Sequence, residues 1–313
     1  MAEKEGEKMI RGFADIYNEL KTVSRKSVLF AGLYTGDQFK VIEEGLKKNI
    51  LDTGILIGDK KGIEAYIAES DGDFSGFSII DCKEDSNIME TAISNYKTED
   101  IDILIKGKVD TATFMRAVLR QKEFVTPGTI VSDCMLYEIP LLKKIIVITD
   151  PSINIEPSLE HKIKILKNSI LFYRTLFERR PKVAVLSYTE SLNEKDQNCI
   201  DATFLSCLSH REDLGGDVEG PLALDLALRK ESAKMKGMED NTVAGDADII
   251  LVPNLLVGNA LAKSLSFLTN YNSAGLLVGL EKTVVLTSRA AKTGEKVNSL
   301  AVAGLYSHKR NIT

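Results

Sequence analysis

A serine and an arginine stand side by side in residues 283–291, TVVLTSRAA, directly after an apolar run. Arginine carries a planar fork that suits phosphate or carboxylate. Serine supplies a hydroxyl donor, or a nucleophile if a base adjoins it. No GxSxG elbow occurs, and His161, His210 and His308 sit among charged neighbours. Ser288 therefore reads as a donor beside an anion clamp, Arg289.

A second candidate lies in residues 105–120, IKGKVDTATFMRAVLR. A strand ends at Lys106-Gly107, and Asp110 or Thr111 can cap the helix that follows. The free N–H groups at such a helix start bind anions. Arg116 is within reach of the same anion, and Arg120, four residues on, shares its face. The alternative is a capped helix with solvated basic residues. The Walker pattern GxxxxGK[ST] is absent. In residues 245–259, GDADIILVPNLLVGN, Asp246 or Asp248 reads as a base, a metal ligand or a turn former. Asn254, Gly258 and Asn259 follow the strand, and their small, polar character suits close ligand approach. Residues 217–225, DVEGPLALD, read as an acidic pair before a proline-started helix, with Glu219 fixing a loop at a cleft or lying in a surface turn.

These loops need a scaffold. Val- and Ile-rich runs at 27–33, 54–58, 77–81, 101–106, 144–149, 182–187, 248–253, 274–279 and 283–287 read as strands buried on both faces of parallel sheets. Amphipathic stretches at 37–48, 157–177, 194–210, 222–236 and 257–271 read as helices between them, the second opening on Pro157 at its first turn. Such alternation implies a doubly wound α/β fold, with ligands beyond the carboxyl ends of strands. About nine strands are many for one open sheet, so two lobes are expected, with punctuation near 126–128. The expected division is residues 1–125 plus 277–313, carrying the phosphate and catalytic loops, and residues 126–276.

The chain has 313 residues, 44% of them hydrophobic, and a net charge of -5, which argues against nucleic-acid binding. Four scattered cysteines without a CxxC pair, and three histidines, argue against structural zinc and suit a reducing cytosol. The charged N-terminus has no signal-peptide core, and no apolar run reaches the ~20 residues of a membrane span. The expectation is a cytoplasmic protein with no membrane, metal or nucleic-acid partner.

At these residues the chain resembles the phosphate acetyl/butyryltransferase family, and within it the phosphate butyryltransferase branch. The matching stretches are KGKVDTATFMRAVL, VITDPSINIEPSLEHKIKIL, VEGPLALDLAL, ESAKMKG, AGDADIILVPNLLVGNALAKSL, and VVLTSRA followed by KVNSLAVA, in family order over roughly residues 100–305. The resemblance implies α/β architecture with two doubly wound lobes, mainly parallel sheets and a central cleft, in outline like the isocitrate and isopropylmalate dehydrogenases, commonly as a homodimer. It implies the exchange acyl-CoA + phosphate ⇌ acyl phosphate + CoA by direct attack in a ternary complex. Coenzyme A is then a substrate, and no tightly bound cofactor or metal is needed. It implies that Ser288 and Arg289 are the catalytic pair and Arg116 a second phosphate-binding arginine, joined by Thr111 and Lys106 at the helix start. A family acid beyond the serine helps deprotonate the CoA thiol. No Asp stands there, and Glu295, in the altered segment AAKTGEK, is the nearest carboxylate. An acyl-enzyme on Cys134 would be a different chemistry. Alternatives are a phosphate acetyltransferase or another acyl-phosphate transferase of the same fold, and an inactive CoA-binding relative.

Overall fold

The structure is a computed structural model that describes residues 9–34, 36–287 and 291–312. Eleven strands form one hydrogen-bonded sheet: β1 (Lys26–Leu33), β2 (Leu51–Gly58), β3 (Phe77–Asp81), β4 (Ile103–Lys106), β5 (Ser132–Ile139), β6 (Lys144–Thr149), β7 (Lys182–Leu186), β8 (Asp217–Leu222), β9 (Ile249–Leu251), β10 (Ser273–Val278) and β11 (Thr283–Val285). Their order across it is β3-β2-β1-β4-β11-β10-β5-β6-β9-β7-β8. The helices are α1 (Phe13–Leu20), α2 (Gly36–Lys47), α3 (Lys60–Glu69), α4 (Asp85–Thr98), α5 (Thr111–Leu119), α6 (Leu159–Phe177), α7 (Gln197–Arg211), α8 (Leu224–Leu228), α9 (Lys230–Met235), α10 (Leu255–Leu268) and α11 (Thr293–Ile312).

The nine apolar runs are all strands, and seven strand pairs are parallel. The two lobes are the halves of this one mainly parallel sheet. They meet at β10 and β5, which run antiparallel to each other and to β11 and β6 respectively. The expectation that nine strands would divide into separate sheets is corrected accordingly. Residue 277, the proposed lobe boundary, falls inside β10.

Two strands escape the sequence reading. β5, SDCMLYEI, lacks the branched apolar run of its neighbours, yet six of its eight residues are buried between β10 and β6. β8, DVEGPL, is a strand rather than a turn leading into a helix. It pairs with β7 and forms the sheet edge, where a proline costs no interior ladder bond. Glu219 lies there, accepting from Ser206 Oγ at 3.3 Å and 3.4 Å from His210, well away from the central strands.

Caps fix the helix starts. Asp110 accepts from Thr113 N at 3.0 Å, Ser158 from His161 N at 3.3 Å and Asn254 from Val257 N at 3.1 Å. Pro157 thus precedes the cap of α6 rather than opening its first turn. α11 is the packing hub: Val297, Leu300, Ala301, Val302 and Leu305 are buried in a core that also holds Ile16, Ile42, Phe172 and Leu276. Each large apolar side chain buried this way stabilises the fold by about 1.5–3 kcal/mol. No helix among the described residues is long and apolar enough to cross a membrane.

Candidate active site

The alternation of β5 aims Asp133, Met135 and Tyr137 into a cavity of about 470 Å³ and turns Cys134 and Leu136 into the core behind it. Burial pushes the Cys134 thiol well up. A side chain on the far side of the sheet, held as the neutral thiol, is no nucleophile for this cavity.

The rest of the wall comes from distant parts of the chain. Thr111 opens α5, Pro151 and Ser152 follow β6, and Asn259, Ala262, Lys263, Ser266 and Phe267 lie along α10. Leu286 and Thr287 follow β11, and Ala291, Lys292, Gly294, Glu295 and Asn298 lead into α11. Met135 pairs with Gly275 on β10, where a Cβ would come within 2.7 Å of the Met135 sulfur. The missing side chain keeps the floor open there.

Hydrogen bonds lock these elements together. Tyr137 Oη donates to Ala262 O at 2.9 Å and lies 3.1 Å from Ser266 Oγ, tying α10 to the floor. Asn259 Nδ2 donates to Pro151 O at 3.3 Å. Gly258 packs so closely that a Cβ would stand 2.9 Å from Asp150 O and from Pro151 Cα. Gly275 N donates to Ser299 Oγ at 2.9 Å and Asn298 Nδ2 donates to Ser273 O at 3.2 Å, fixing the start of α11 on β10.

Two carboxyl groups line the cavity. Glu295 accepts from Ser273 Oγ at 3.2 Å. Burial pushes its carboxyl above the ordinary range, against the pull of that hydrogen bond and of Lys296 and Lys292. Asp133 is 4% exposed; its Oδ2 accepts from Ser152 Oγ, and its buried Oδ1 has no hydrogen-bond partner. Burial, followed by the charge of Asp150, pushes the Asp133 carboxyl up to about 8. Asp150 is held by the backbone N–H groups of Ser152, Ile153 and Asn154, each at 3.0 Å, and burial pushes its carboxyl up too.

Of the residues singled out from sequence, Thr111, Asn259 and Glu295 meet in this cavity. Lys106 lines an adjoining cavity of about 200 Å³ with Gly107, Lys108 and Lys296, and Thr287 borders both spaces. The Lys106 ammonium donates to Gly107 O at 3.2 Å, and Gly107 passes so near Gly32 that a Cβ would stand 2.2 Å from its carbonyl oxygen. Arg116 and Arg120 do share a face, but it borders a groove with Met89 and Lys97 of α4, apart from the main cavity. Asn254 acts as the cap of α10 and Gly258 as its close contact to the loop after β6. Ser288 and Arg289 lie outside the described residues; Thr287 and Ala291, on either side of them, line the cavity. Asp246 and Asp248 serve structure: Asp248 accepts from Lys144 Nζ and Arg179 Nη2, each at 3.0 Å, and Asp246 from Lys182 at 2.7 Å. No cluster of three or more His, Cys, Asp or Glu able to hold a metal occurs among the described residues.

Asp133, Tyr137, Ser152 and Ser273 were not legible as site residues. Asp133 and Tyr137 lie on β5, a strand that its composition conceals, and Ser152 and Ser273 reach the cavity only through the loop after β6 and the start of β10.

The family described as phosphate acetyl/butaryl transferase matches residues 86–304. A phosphate butyryltransferase of Clostridium acetobutylicum is 35% identical over 298 residues, covering 95% of this chain and 98% of that protein. A phosphate acetyltransferase of Rhizobium meliloti is 34% identical over 83% of this chain and 82% of its own length. Among solved structures, a branched-chain phosphotransacylase from Enterococcus faecalis V583 superposes with a TM-score of 0.80 at 28% identity, covering 90% of this chain and 99% of that one.

Proposed function

We propose, from the premise that the chain belongs to the phosphate acetyl/butaryl transferase family, that its central cavity is where a short acyl group of butyryl size passes between coenzyme A and phosphate. The reaction is acyl-CoA + phosphate ⇌ acyl phosphate + CoA. One observation carries the placement. Glu295 and the residues on either side of the stretch 288–290, Thr287 and Ala291, border a single cavity whose floor is Met135 and Gly275.

In the direction of thioester formation, Glu295 takes the thiol proton. A carboxylate held above its ordinary range by burial is a stronger base toward a weakly acidic thiol. The thiolate attacks the acyl carbonyl in a ternary complex. Charge builds on the carbonyl oxygen and on the departing phosphate, where Arg289 offers a bidentate fork and Ser288 a donor. The Thr111 hydroxyl and the start of α5 offer further donors to phosphate. The acyl chain lies over Met135 toward Ala262 and Leu286. Coenzyme A enters as a substrate, and the family resemblance supports a cytoplasmic homodimer with no tightly bound cofactor.

The test is phosphate-dependent thiol release from a panel of acyl-CoAs, acetyl to valeryl. Glu295→Gln is expected to lose about 10²–10⁴-fold in rate, and Arg289→Ala about 10²–10³-fold, with the fold intact by circular dichroism. Undiminished turnover in Arg289→Ala removes that residue from the mechanism. No phosphate-dependent release by the unaltered chain from any acyl-CoA overturns the reading.

A further inference from the structure

The exchange moves a proton as well as an acyl group. When thioester forms, the CoA sulfur gives up its hydrogen, the S–C bond forms, the C–O bond to phosphate breaks, and the bridging oxygen must gain a proton to leave as hydrogen phosphate. Glu295 receives the first proton. Nothing assigned so far supplies the second.

Two carboxyls border the floor of one cavity. Glu295 is held by Ser273, which pairs with Tyr137 on β5. Asp133 lies two same-face positions away along β5, with Met135 between. The Asp133 carboxyl reaches back over that floor, and the charge of Glu295 acts on it, so the two carboxyls face one acyl position from either side. Asp133 shares its end of the cavity with Ser152, which hydrogen-bonds it. Its Oδ1 lies 3.9 Å from the position a Cβ on Gly275 would take, so it sits over the floor.

From this placement, and resting on the acyl-exchange reading above, we infer that Asp133 is a second catalytic carboxyl, the general acid that delivers a proton to the bridging phosphate oxygen as the acyl–oxygen bond breaks. In the reverse direction its carboxylate takes that proton from the attacking phosphate. After each turnover Glu295 loses the thiol proton to solvent and Asp133 regains one, so the balance closes with no other reactant. A neutral acid also tolerates an anion that a second carboxylate would repel.

The charged groups around Asp133 agree with a proton held there. Asp150 approaches from the loop after β6, Glu295 and Lys292 border the cavity near the start of α11, and Lys263 borders it from α10. Neither lysine forms an ion pair with Asp133 among the described residues, and Asp150 and Glu295 both oppose its ionisation.

The experiment measures kcat and KM for butyryl phosphate plus CoA across pH in the unaltered protein, Asp133→Asn and Ser152→Ala. A bell is expected in the unaltered protein, its acid limb from Glu295 and its alkaline limb from Asp133. Asp133→Asn is expected to lose about 10²–10⁴-fold in kcat, with KM for CoA unchanged and the alkaline limb gone. Ser152→Ala removes a donor that favours the ionised carboxyl, so the alkaline limb is expected to move to higher pH. An Asp133→Asn profile that keeps the limb, or a Ser152→Ala limb that stays in place, overturns the assignment while leaving acyl exchange intact. Absence of exchange in the unaltered protein would instead sink the reading on which it rests.

Discussion

Asp133 makes the protein less stable in the state that its proposed chemistry requires, and this can be measured without a substrate. Its carboxyl is pushed from 3.8 up to about 8 by burial. The folded chain therefore holds a proton that the unfolded chain has already released. The stabilisation from that proton is fully present below the unfolded value, near 3.8, and is lost as pH rises through about 8. Each pKa unit is worth about 1.4 kcal/mol, so between about pH 5 and about pH 9 this one side chain removes about 4 kcal/mol of stability. Asp133→Asn substitutes a neutral amide that still accepts from Ser152 and does not titrate. The assay is urea unfolding of both proteins at the two pH values. With an m-value of about 3 kcal/mol/M, the unaltered midpoint should fall by roughly 1 M more than that of the variant. Asp150 and Glu295 are present in both proteins, so their titration cancels to first order. Midpoints that fall in parallel would refute the claim that Asp133 is protonated in the folded state. A variant that unfolds earlier at the alkaline pH would refute the sign.

Two further predictions concern the frame of the site. Asn254→Ala deletes the side-chain cap on Val257 N and should cost about 1 kcal/mol in urea unfolding, with Asn254→Asp retaining most of it. Lys162 and Asp201 form an ion pair at 2.7 Å with side chains 5% and 4% exposed, so Lys162→Met, which strands the carboxylate, should cost about 3–5 kcal/mol. The double variant Lys162→Met, Asp201→Leu should recover most of that loss, and a double variant as unstable as the single one would count against the pair.

The class of fold is legible in the linear order of residues, and the chemistry in the motifs that carry the family resemblance. Most of the nine apolar runs are strands because a parallel sheet covered on both faces demands continuous apolar residues, a pattern with no dependence on distant residues; β10, antiparallel to both neighbours, and β3, at the sheet edge, are strands outside that rule. The motif order around Lys106-Gly107, Asn254 and Thr287 marks the loops from which the site is assembled, and Glu295 follows from the family resemblance as the carboxylate nearest the position of the family acid. The rest depends on packing between segments far apart in the chain. β5 became a strand because β10 and β6 flank it, not because its residues favour one, and that strand lays Asp133, Met135 and Tyr137 along the cavity floor. The meeting of Thr111, Asn259 and Glu295, and the turning of Arg116 onto a different groove, depend on how α5, α10 and α11 seat on the sheet. The proton on Asp133 is likewise a property of burial beside Asp150. Desolvation and the opposition of like charges exist only after residues far apart in the chain have closed around one carboxyl group.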